Sequence, residues 1–327
     1  MRDFSGRIAV VTGGGSGMGR ELVRQLVAQG CHVATCDVSP SGLAETVRLC
    51  AEAGLPQGVP QGVRITTHVG DVANEADVLR VRDEVMAQHA TDRIHLLFNN
   101  AGISGGGSLI AHERDEWERV FNICWGGVYL NTRAFLPLLR AADAAHLINT
   151  SSVNGFWATV GPDAPHTAYS AAKFAVKGFT EALIADFRMN APHIKVSVVM
   201  PGHISTGIRD NSLKVQAGTD EDGLTPAQIA QVRARLESMG RDTSRQSDDD
   251  IAGMHAKRSR KFRDLAITSA ADAATIILDG VRADRLRILV GPDAQLADRM
   301  VREDPDNAYD SDFFRRFTTT PGLYTGR

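Results

Sequence analysis

The sequence predicts an α/β fold: a single domain around a doubly wound, mostly parallel sheet with helices on both faces. Short apolar runs alternate with longer amphipathic runs from residue 8 to about residue 200, and most central residues of the short runs are apolar or small. Such runs are typical of parallel strands covered by helices on both faces. Polar residues or glycines follow several runs directly. We therefore expect seven strands, with a ligand crevice at their carboxyl ends.

Each predicted strand has five to seven residues and ends at, or just before, a polar residue, a glycine or a proline. The strands are predicted at residues 8–12, 33–37, 64–69, 94–99, 145–151, 195–200 and 286–290. Segments of helical periodicity are predicted as helices at residues 18–29, 41–53, 75–89, 114–139, 168–190 and 269–282. This order of strand, helix and strand is that of a parallel sheet.

Two segments depart from the alternation. Residues 203–264 are polar and charged, with helices predicted at 226–239 and near 249–262. Because long insertions are usually functional or disordered, a substrate lid within a domain of residues 1–291 is favoured over a solvated, partly mobile excursion. Residues 292–327 are predicted to be a C-terminal extension that closes over the crevice of its own chain or of a neighbour. It carries a segment of periodically spaced apolar residues, Leu296, Met300 and Val301. A cluster of aromatic residues follows: Phe313, Phe314, Phe317 and Tyr324.

Composition excludes several classes of protein. The net charge of −3 gives no electrostatic basis for binding nucleic acid or an anionic membrane. No apolar run approaches the roughly 20 residues that span a bilayer, and the first residues do not resemble a signal peptide. The four cysteines form no CxxC pair, and the histidines lack metal-binding spacing. We expect a cytoplasmic protein with reduced thiols and no metal site.

A glycine-rich turn joins the first predicted strand to the first helix. Glycines there allow a tight turn and a close approach of backbone to a pyrophosphate, and the helix N-terminus offers free N–H groups. A purely structural turn is the alternative, but the position between strand and helix favours a dinucleotide site. The predicted contacts are Gly13, Gly15, Ser16, Gly17, Met18 and Gly19.

An acidic residue, Asp37, ends the second predicted strand. A carboxylate at this point can accept hydrogen bonds from the adenosine ribose hydroxyls, whereas a 2′-phosphate would meet like charge. The glycine-rich turn contains no basic residue, and Val38 follows Asp37. These observations favour NAD over NADP, and they favour a cofactor contact over a helix cap at Asp37.

Tyr169 and Lys173 are four residues apart and therefore lie on one face of a predicted helix. A phenol has a pKa of about 10, and a nearby ammonium favours its ionised form, as a general base near neutral pH requires. Ser152 directly follows the fifth predicted strand, where its hydroxyl can bind a substrate oxygen, whereas the neighbouring Ser151 is the alternative, a strand-end residue that bonds to backbone. Asn122 lies in the middle of a predicted helix, and the residues alone favour a structural role for it.

Together these residues resemble the short-chain dehydrogenase/reductase family, whose members have a Rossmann fold. The similarity extends over residues 6–206 and includes a TGxxxGxG turn (Thr12 to Gly19), an NNAG sequence (Asn99 to Gly102) and a YxxxK pair (Tyr169 and Lys173). Asp37, Asp71-Val72, Asn122, Ser152 and Pro201-Gly202 with Thr206 complete it. Tyr169 follows Ser152 by 17 residues, a few more than is usual in the family.

The resemblance implies specific roles. Tyr169 would be the acid/base, Lys173 would hold the nicotinamide ribose, Ser152 would position the substrate oxygen, and Asn122 would hold a water in a proton relay. Asp71 and Val72 would contact adenine, and Ile204 and Thr206 the carboxamide. Asn100, Ala101, Gly102, Pro201 and Gly202 would complete the cofactor site. Members are commonly homodimers or homotetramers, built through the helices before and after the strand that carries the serine.

The sequence therefore predicts an NAD-dependent oxidoreductase that transfers a hydride between nicotinamide and a small secondary alcohol or ketone, which we expect to be hydrophobic. Three alternatives stay open: an NADP-dependent ketoreductase, a protein that binds NAD as a sensor or scaffold without turnover, and NAD-assisted epimerisation or dehydration.

Overall fold

We describe the fold from a computed structural model, which covers residues 1–52, 62–110, 113–162, 164–219, 223–238, 240–321 and 323. Its strands are β1 (Ile8–Thr12), β2 (His32–Asp37), β3 (Ile65–Val69), β4 (Leu96–Asn99), β5 (Ala145–Thr150), β6 (Ile194–Pro201), β7 (Ile204–Ser205), β8 (Thr268–Ser269) and β9 (Arg287–Val290). Its α-helices are α1 (Gly17–Ala28), α2 (Pro40–Glu52), α3 (Glu75–His89), α4 (Arg114–Phe121), α5 (Gly127–Arg140), α6 (Thr167–Asn190), α7 (Ile208–Ala217), α8 (Pro226–Ser238), α9 (Asp248–Leu265), α10 (Ala270–Arg282), α11 (Pro292–Glu303) and α12 (Ser311–Thr318).

Seven strands form one sheet in the order β3-β2-β1-β4-β5-β6-β9, and β7 pairs with β8 separately. Every neighbouring pair in the seven-stranded sheet is parallel, so the predicted fold class is confirmed and the sheet is wholly, not mostly, parallel. The strand order reverses between β1 and β4. Ligands of such sheets bind at this reversal, beyond the carboxyl ends of the strands.

Successive strand residues point to opposite faces of the sheet, so both faces carry apolar side chains. Helices cover these side chains on both faces. Val10 and Leu97 lie in an apolar cluster with residues of α3, α5 and α6. Val11 and Leu96 lie in a second cluster with residues of α1 and α10. Two cores of this kind hold the central strands rigidly, and they leave the carboxyl edge as the place where loops meet.

The predicted helix 114–139 is divided by one turn of π-helix. A π-helical turn from Asn122 to Gly126 separates α4 from α5. Asn122 is exposed, whereas Cys124, two residues later, is completely buried. π-helical turns inside α-helices are rare and frequently occur at functional sites.

The predicted lid, residues 203–264, and the C-terminal extension are largely helical. The predicted helices 226–239 and 249–262 correspond to α8 and α9, although residue 239 lies outside the described residues. Three helices were not predicted: α7 in the lid, and α11 and α12 in the extension. Tyr324 of the predicted aromatic cluster also lies outside the described residues.

All four cysteines are buried and unpaired. Burial raises the pKa of the Cys31 and Cys36 thiols to about 12. Within the described part of the chain, no helix combines the length and the apolar character that crossing a membrane requires.

The opposite orientations of Cys124 and Asn122 can be tested by placing the same residue at each position. Cys124→Leu adds volume to a packed interior, so we expect the free energy of unfolding to fall by about 1–3 kcal/mol. Asn122→Leu changes an exposed side chain and should change that free energy by less than about 0.5 kcal/mol. Equilibrium unfolding in urea measures both values. Equal losses of stability would contradict the orientation of the π-helical turn.

Candidate active site

The residues predicted from the sequence to form a site, with the exception of Asn122, lie on the loops and helix ends at the carboxyl edge of the sheet. The glycine-rich turn follows β1, Asp37 ends β2, and Asp71 and Val72 follow β3. The NNAG sequence begins at the last residue of β4, and Ser152 follows β5. The parallel arrangement of the strands therefore collects residues that are up to about 190 positions apart in the chain.

The turn between β1 and α1 requires glycine at specific positions. Gly17 has φ of +53°, in the left-handed region that favours glycine. A Cβ atom at Gly19 would lie 2.0 Å from the Gly13 carbonyl oxygen, so no larger residue fits there. The helix begins without a side-chain cap at Ser16 and without acidic residues in its first turn. Its N–H groups and its positive dipole end are therefore suited to a pyrophosphate.

Asp37 is fixed beside this turn. One of its carboxylate oxygens accepts a hydrogen bond from Gly15 N (2.9 Å), and the other accepts one from Ser39 N (3.0 Å). A Cβ atom at Gly15 would lie 2.8 Å from the carboxyl group. The close approach holds a negative charge at the end of β2.

Asn100 joins the ends of β4 and β1. Its backbone N–H donates to Thr12 Oγ1 (3.0 Å), and its side-chain amide donates to the Thr12 carbonyl oxygen (3.1 Å). Ala101 N also donates to Thr12 Oγ1 (3.1 Å).

Asp71 and Val72 follow β3, the outer strand of the sheet on this side. An Asp71 carboxylate oxygen accepts a hydrogen bond from Ala73 N (2.9 Å). Val72, next to Asp71, is buried.

Ser152, Tyr169 and Lys173 converge beside the end of β5. Lys173 is 2% exposed, and its ammonium donates to the Thr150 carbonyl oxygen (2.9 Å). The Lys173 Nζ atom lies 5.4 Å from the centre of the Tyr169 ring. The Ser152 hydroxyl oxygen accepts a hydrogen bond from Asn154 N (3.1 Å). A phenol, an ammonium and a hydroxyl therefore share one side of the crevice.

Burial disfavours the charged forms of both Tyr169 and Lys173. It raises the pKa of the Tyr169 phenol, and the nearby Cys124 raises it further, whereas a hydrogen bond with Ser152 lowers it. Burial lowers the pKa of the Lys173 ammonium, and Cys124 acts in the opposite direction. These surroundings favour the neutral phenol of Tyr169, whereas a nearby positive charge would favour its ionised form.

Cys124, which the sequence reasoning did not select, belongs to this group, and Asn122 does not. The Cys124 thiol donates to the Ile103 carbonyl oxygen (3.2 Å). A Cβ atom at Gly102 would lie 3.5 Å from both Cys124 Sγ and Lys173 Nζ. Helical periodicity could have identified Cys124, because it lies on one buried stripe with Val120 and Ile123, whereas Asn122 falls outside that stripe.

The loop after β6 and the start of the lid form the opposite side of the crevice. A Cβ atom at Gly17 would lie 3.3 Å from the Thr206 side chain. Ile204 is buried in β7, and Pro201 ends β6 next to Gly202. In α7, the Asn211 amide donates to Ser16 Oγ of the glycine-rich turn (2.9 Å), and Ser212 Oγ accepts from Ser104 N (2.8 Å). Helix α7 therefore lies between the turn after β1 and the loop after β4.

Among the residues that the structure describes, no group of three or more histidine, cysteine, aspartate or glutamate side chains is arranged to hold a metal ion.

Known proteins are similar to this chain in sequence and in fold. A family model described as short chain dehydrogenase matches residues 7–217. The protein named oxidoreductase SadH from Mycobacterium tuberculosis is 33% identical over 302 residues, which cover 92% of each chain. Levodione reductase from Leifsonia aquatica is 31% identical over 215 residues, covering 64% of this chain and 74% of the reductase.

A solved structure is similar over nearly the whole chain. It is a short-chain dehydrogenase/reductase from Burkholderia phymatum in complex with NAD, with a TM-score of 0.71 and 29% identity, covering 94% of this chain and 96% of that chain. The matched family model, the relatives and the sheet order agree with one another. The chain belongs to the short-chain dehydrogenase/reductase family and has its Rossmann-type fold.

Proposed function

We propose that this protein is an NAD-dependent dehydrogenase or reductase that transfers a hydride between nicotinamide and a secondary alcohol or ketone, with Tyr169 as the acid/base. The observation that carries the proposal is that Tyr169 lies next to both Ser152 and Lys173, at the same edge of the sheet as the glycine-rich turn. An absorbance assay at the wavelength of reduced nicotinamide, over secondary alcohols, ketones, steroids and sugars, tests it.

The residues of the crevice fit a nicotinamide dinucleotide. The uncapped start of α1 would hold the pyrophosphate, and Asp37 the adenosine ribose. Asp71, Val72 and Asn100 to Gly102 would line the adenine and ribose positions, and Pro201 to Thr206 the carboxamide side. When bound, the dinucleotide supplies the hydride donor or acceptor. Met18 lies in the first turn of α1 and is assigned to the same site.

Tyr169 exchanges the proton of the substrate oxygen in this proposal, and Ser152 donates a hydrogen bond to that oxygen. An ammonium has three donor hydrogens, and Lys173 uses one of them on the Thr150 carbonyl. Its remaining donors can bind ribose hydroxyls, and its charge favours the phenolate form of Tyr169.

We assign no proton relay to Asn122. Its side chain is exposed, whereas Cys124 is buried next to Lys173 and Tyr169. The relay that the family resemblance implied therefore has no support at Asn122.

Two further parts of the proposal concern the substrate and the assembly. The hydrophobic character of the substrate stays a prediction from the sequence, because Phe156, an apolar residue shortly after Ser152, packs against the C-terminal extension. Trp125 and Tyr129 of the 122–140 region contact Phe179 of α6, and the Tyr129 side chain is 40% exposed. An aromatic surface on the helices that flank β5 supports a homodimer or homotetramer. The cytoplasmic location stays a prediction from the sequence.

Tyr169→Phe removes the proposed acid/base and keeps the ring. We expect kcat to fall by about 10²- to 10⁴-fold, the usual contribution of a general acid or base, with the Kd for NAD within about twofold of wild type. Steady-state kinetics and calorimetric titration measure these values. The matched control is Tyr129→Phe, which removes a phenol hydroxyl outside the crevice and should leave kcat unchanged. Full activity of Tyr169→Phe would remove Tyr169 from the mechanism.

The direction of the Tyr169 pKa shift predicts the pH dependence of the two reactions. Oxidation of an alcohol needs the phenolate, and burial raises the pKa of Tyr169, so kcat for oxidation should rise by about tenfold per pH unit below the apparent pKa. Reduction of a ketone needs the phenol and should not rise in the same range. Lys173→Met should move the oxidation profile to higher pH. A deuterated alcohol shows whether hydride transfer limits the rate. A limiting but pH-independent transfer would assign the proton to another group.

Asp37→Ser tests the preference for NAD. The substitution removes a charged acceptor of the ribose hydroxyls and the negative charge that repels a 2′-phosphate, so kcat/KM with NAD should fall by about tenfold or more. The value with NADP should rise. Kinetics with both cofactors at one substrate concentration measure the ratio. An unchanged ratio would show that Asp37 does not select the cofactor.

A further inference from the structure

The C-terminal extension packs on the segment that follows Ser152. We call residues 292–318, which include α11 and α12, the strap. Leu296, Ala297, Ala308, Phe313 and Phe317 of the strap form a third apolar cluster, and the buried residue that closes it from outside the strap is Trp157. Phe156 packs against the same cluster. The apolar side chains of the strap therefore pack against Phe156 and Trp157, which lie four and five positions after Ser152.

The Trp157 side chain packs against three aromatic side chains of the strap. It is 3% exposed, and its ring centre lies 5.5 Å from that of Phe313, 5.9 Å from that of Phe314 and 5.1 Å from that of Phe317. Its indole N–H donates to the Ala308 carbonyl oxygen (2.7 Å). Because a displaced Trp157 would lose both these ring contacts and a buried hydrogen bond, the strap restrains the position of Trp157.

A short chain of hydrogen bonds connects Trp157 to the Ser152 hydroxyl. The Asn154 side-chain amide donates to the carbonyl oxygens of Trp157 (3.0 Å) and Thr159 (2.7 Å). The Asn154 backbone N–H donates to Ser152 Oγ (3.1 Å). Asn154 is itself buried, so a shift of Trp157 would move Asn154 and, through it, the hydroxyl.

The strap is also attached to the opposite side of the crevice. The buried Asp293, in the first turn of α11, accepts a hydrogen bond from His203 N (2.6 Å), at the start of the lid. A Cβ atom at Gly202 would lie 2.3 Å from the Asp293 carboxylate. The strap thus connects the loop after β6 with the loop after β5, the two loops between which the substrate would lie.

We propose that Trp157 is a positioning residue, through which the strap holds the Ser152 hydroxyl where it can bind the substrate oxygen beside Tyr169. The inference rests on the proposed function and assigns a part of it to the strap, which lies outside the stretch that matches the family model. A displacement of a catalytic group by about 1 Å can reduce turnover by about a hundredfold without changing cofactor binding.

The test compares the full-length wild type with Trp157→Phe and Phe317→Leu. Trp157→Phe keeps a ring but leaves the Ala308 carbonyl without its donor, and Phe317→Leu is a milder change of the same cluster. The control is Phe4→Leu, in a buried position of another cluster. Hydrogen exchange is followed at residues 155–157, whose amides donate to the Ser152 and Val153 carbonyls. The assays measure kcat, KM and the Kd for NAD.

We expect exchange at residues 155–157 to accelerate about tenfold in Trp157→Phe, as loss of one buried hydrogen bond implies. The kcat should fall by about tenfold or more, with the Kd for NAD within about twofold of wild type. Phe317→Leu should show smaller changes of the same kind, and Phe4→Leu neither. Unchanged exchange, or faster exchange with an unchanged kcat, would overturn the proposal. If the wild type transfers no hydride to any compound, the proposed function fails by that result alone, and the exchange data still decide whether the strap holds the Ser152 segment.

Discussion

The burial of the Lys173 ammonium at the end of β5 is the constraint on which the site depends. Removing an ammonium from water is expensive, and one hydrogen bond to the Thr150 carbonyl offsets only a part of that cost. Helix α6 must therefore be held firmly against the strand. The Ser151 hydroxyl donates to the Lys173 carbonyl (2.7 Å), and the Asn149 amide donates to Thr180 Oγ1 (3.0 Å). These two bonds fix the register of α6, and that register places Tyr169.

The sheet and most of the site could be predicted because their signals are local. Apolar runs identify buried strands, and a polar residue at the end of a run lies at the crevice edge, as Asp37 and Ser152 do. The spacing of Tyr169 and Lys173 likewise needs only the helical repeat. Asn122 shows the limit of assigning a residue by motif. The family pattern pointed to an asparagine, whereas the buried stripe of the helix carries Cys124.

The contacts between segments that are distant in the chain could not be predicted from the sequence. Helix α12 has eight residues. Its aromatic side chains indicate that another apolar surface covers it, but the sequence does not identify that surface. The partner is Trp157, about 150 positions earlier in the chain, in a loop without periodic character. The pairing of β7 with β8 joins two-residue strands, which are too short to give a sequence pattern. Such contacts follow from tertiary packing rather than from local propensity.

The packing of Trp157 against α12 has a consequence for biosynthesis. A ribosome adds about 5–20 residues per second, so the aromatic partners of Trp157 emerge about 10–30 s after it does. During that interval the nascent chain already contains most of the sheet, while an indole and the neighbouring phenylalanine remain uncovered. Cotranslational folding of the core therefore leaves exposed aromatic groups next to Ser152 until α12 has been synthesised.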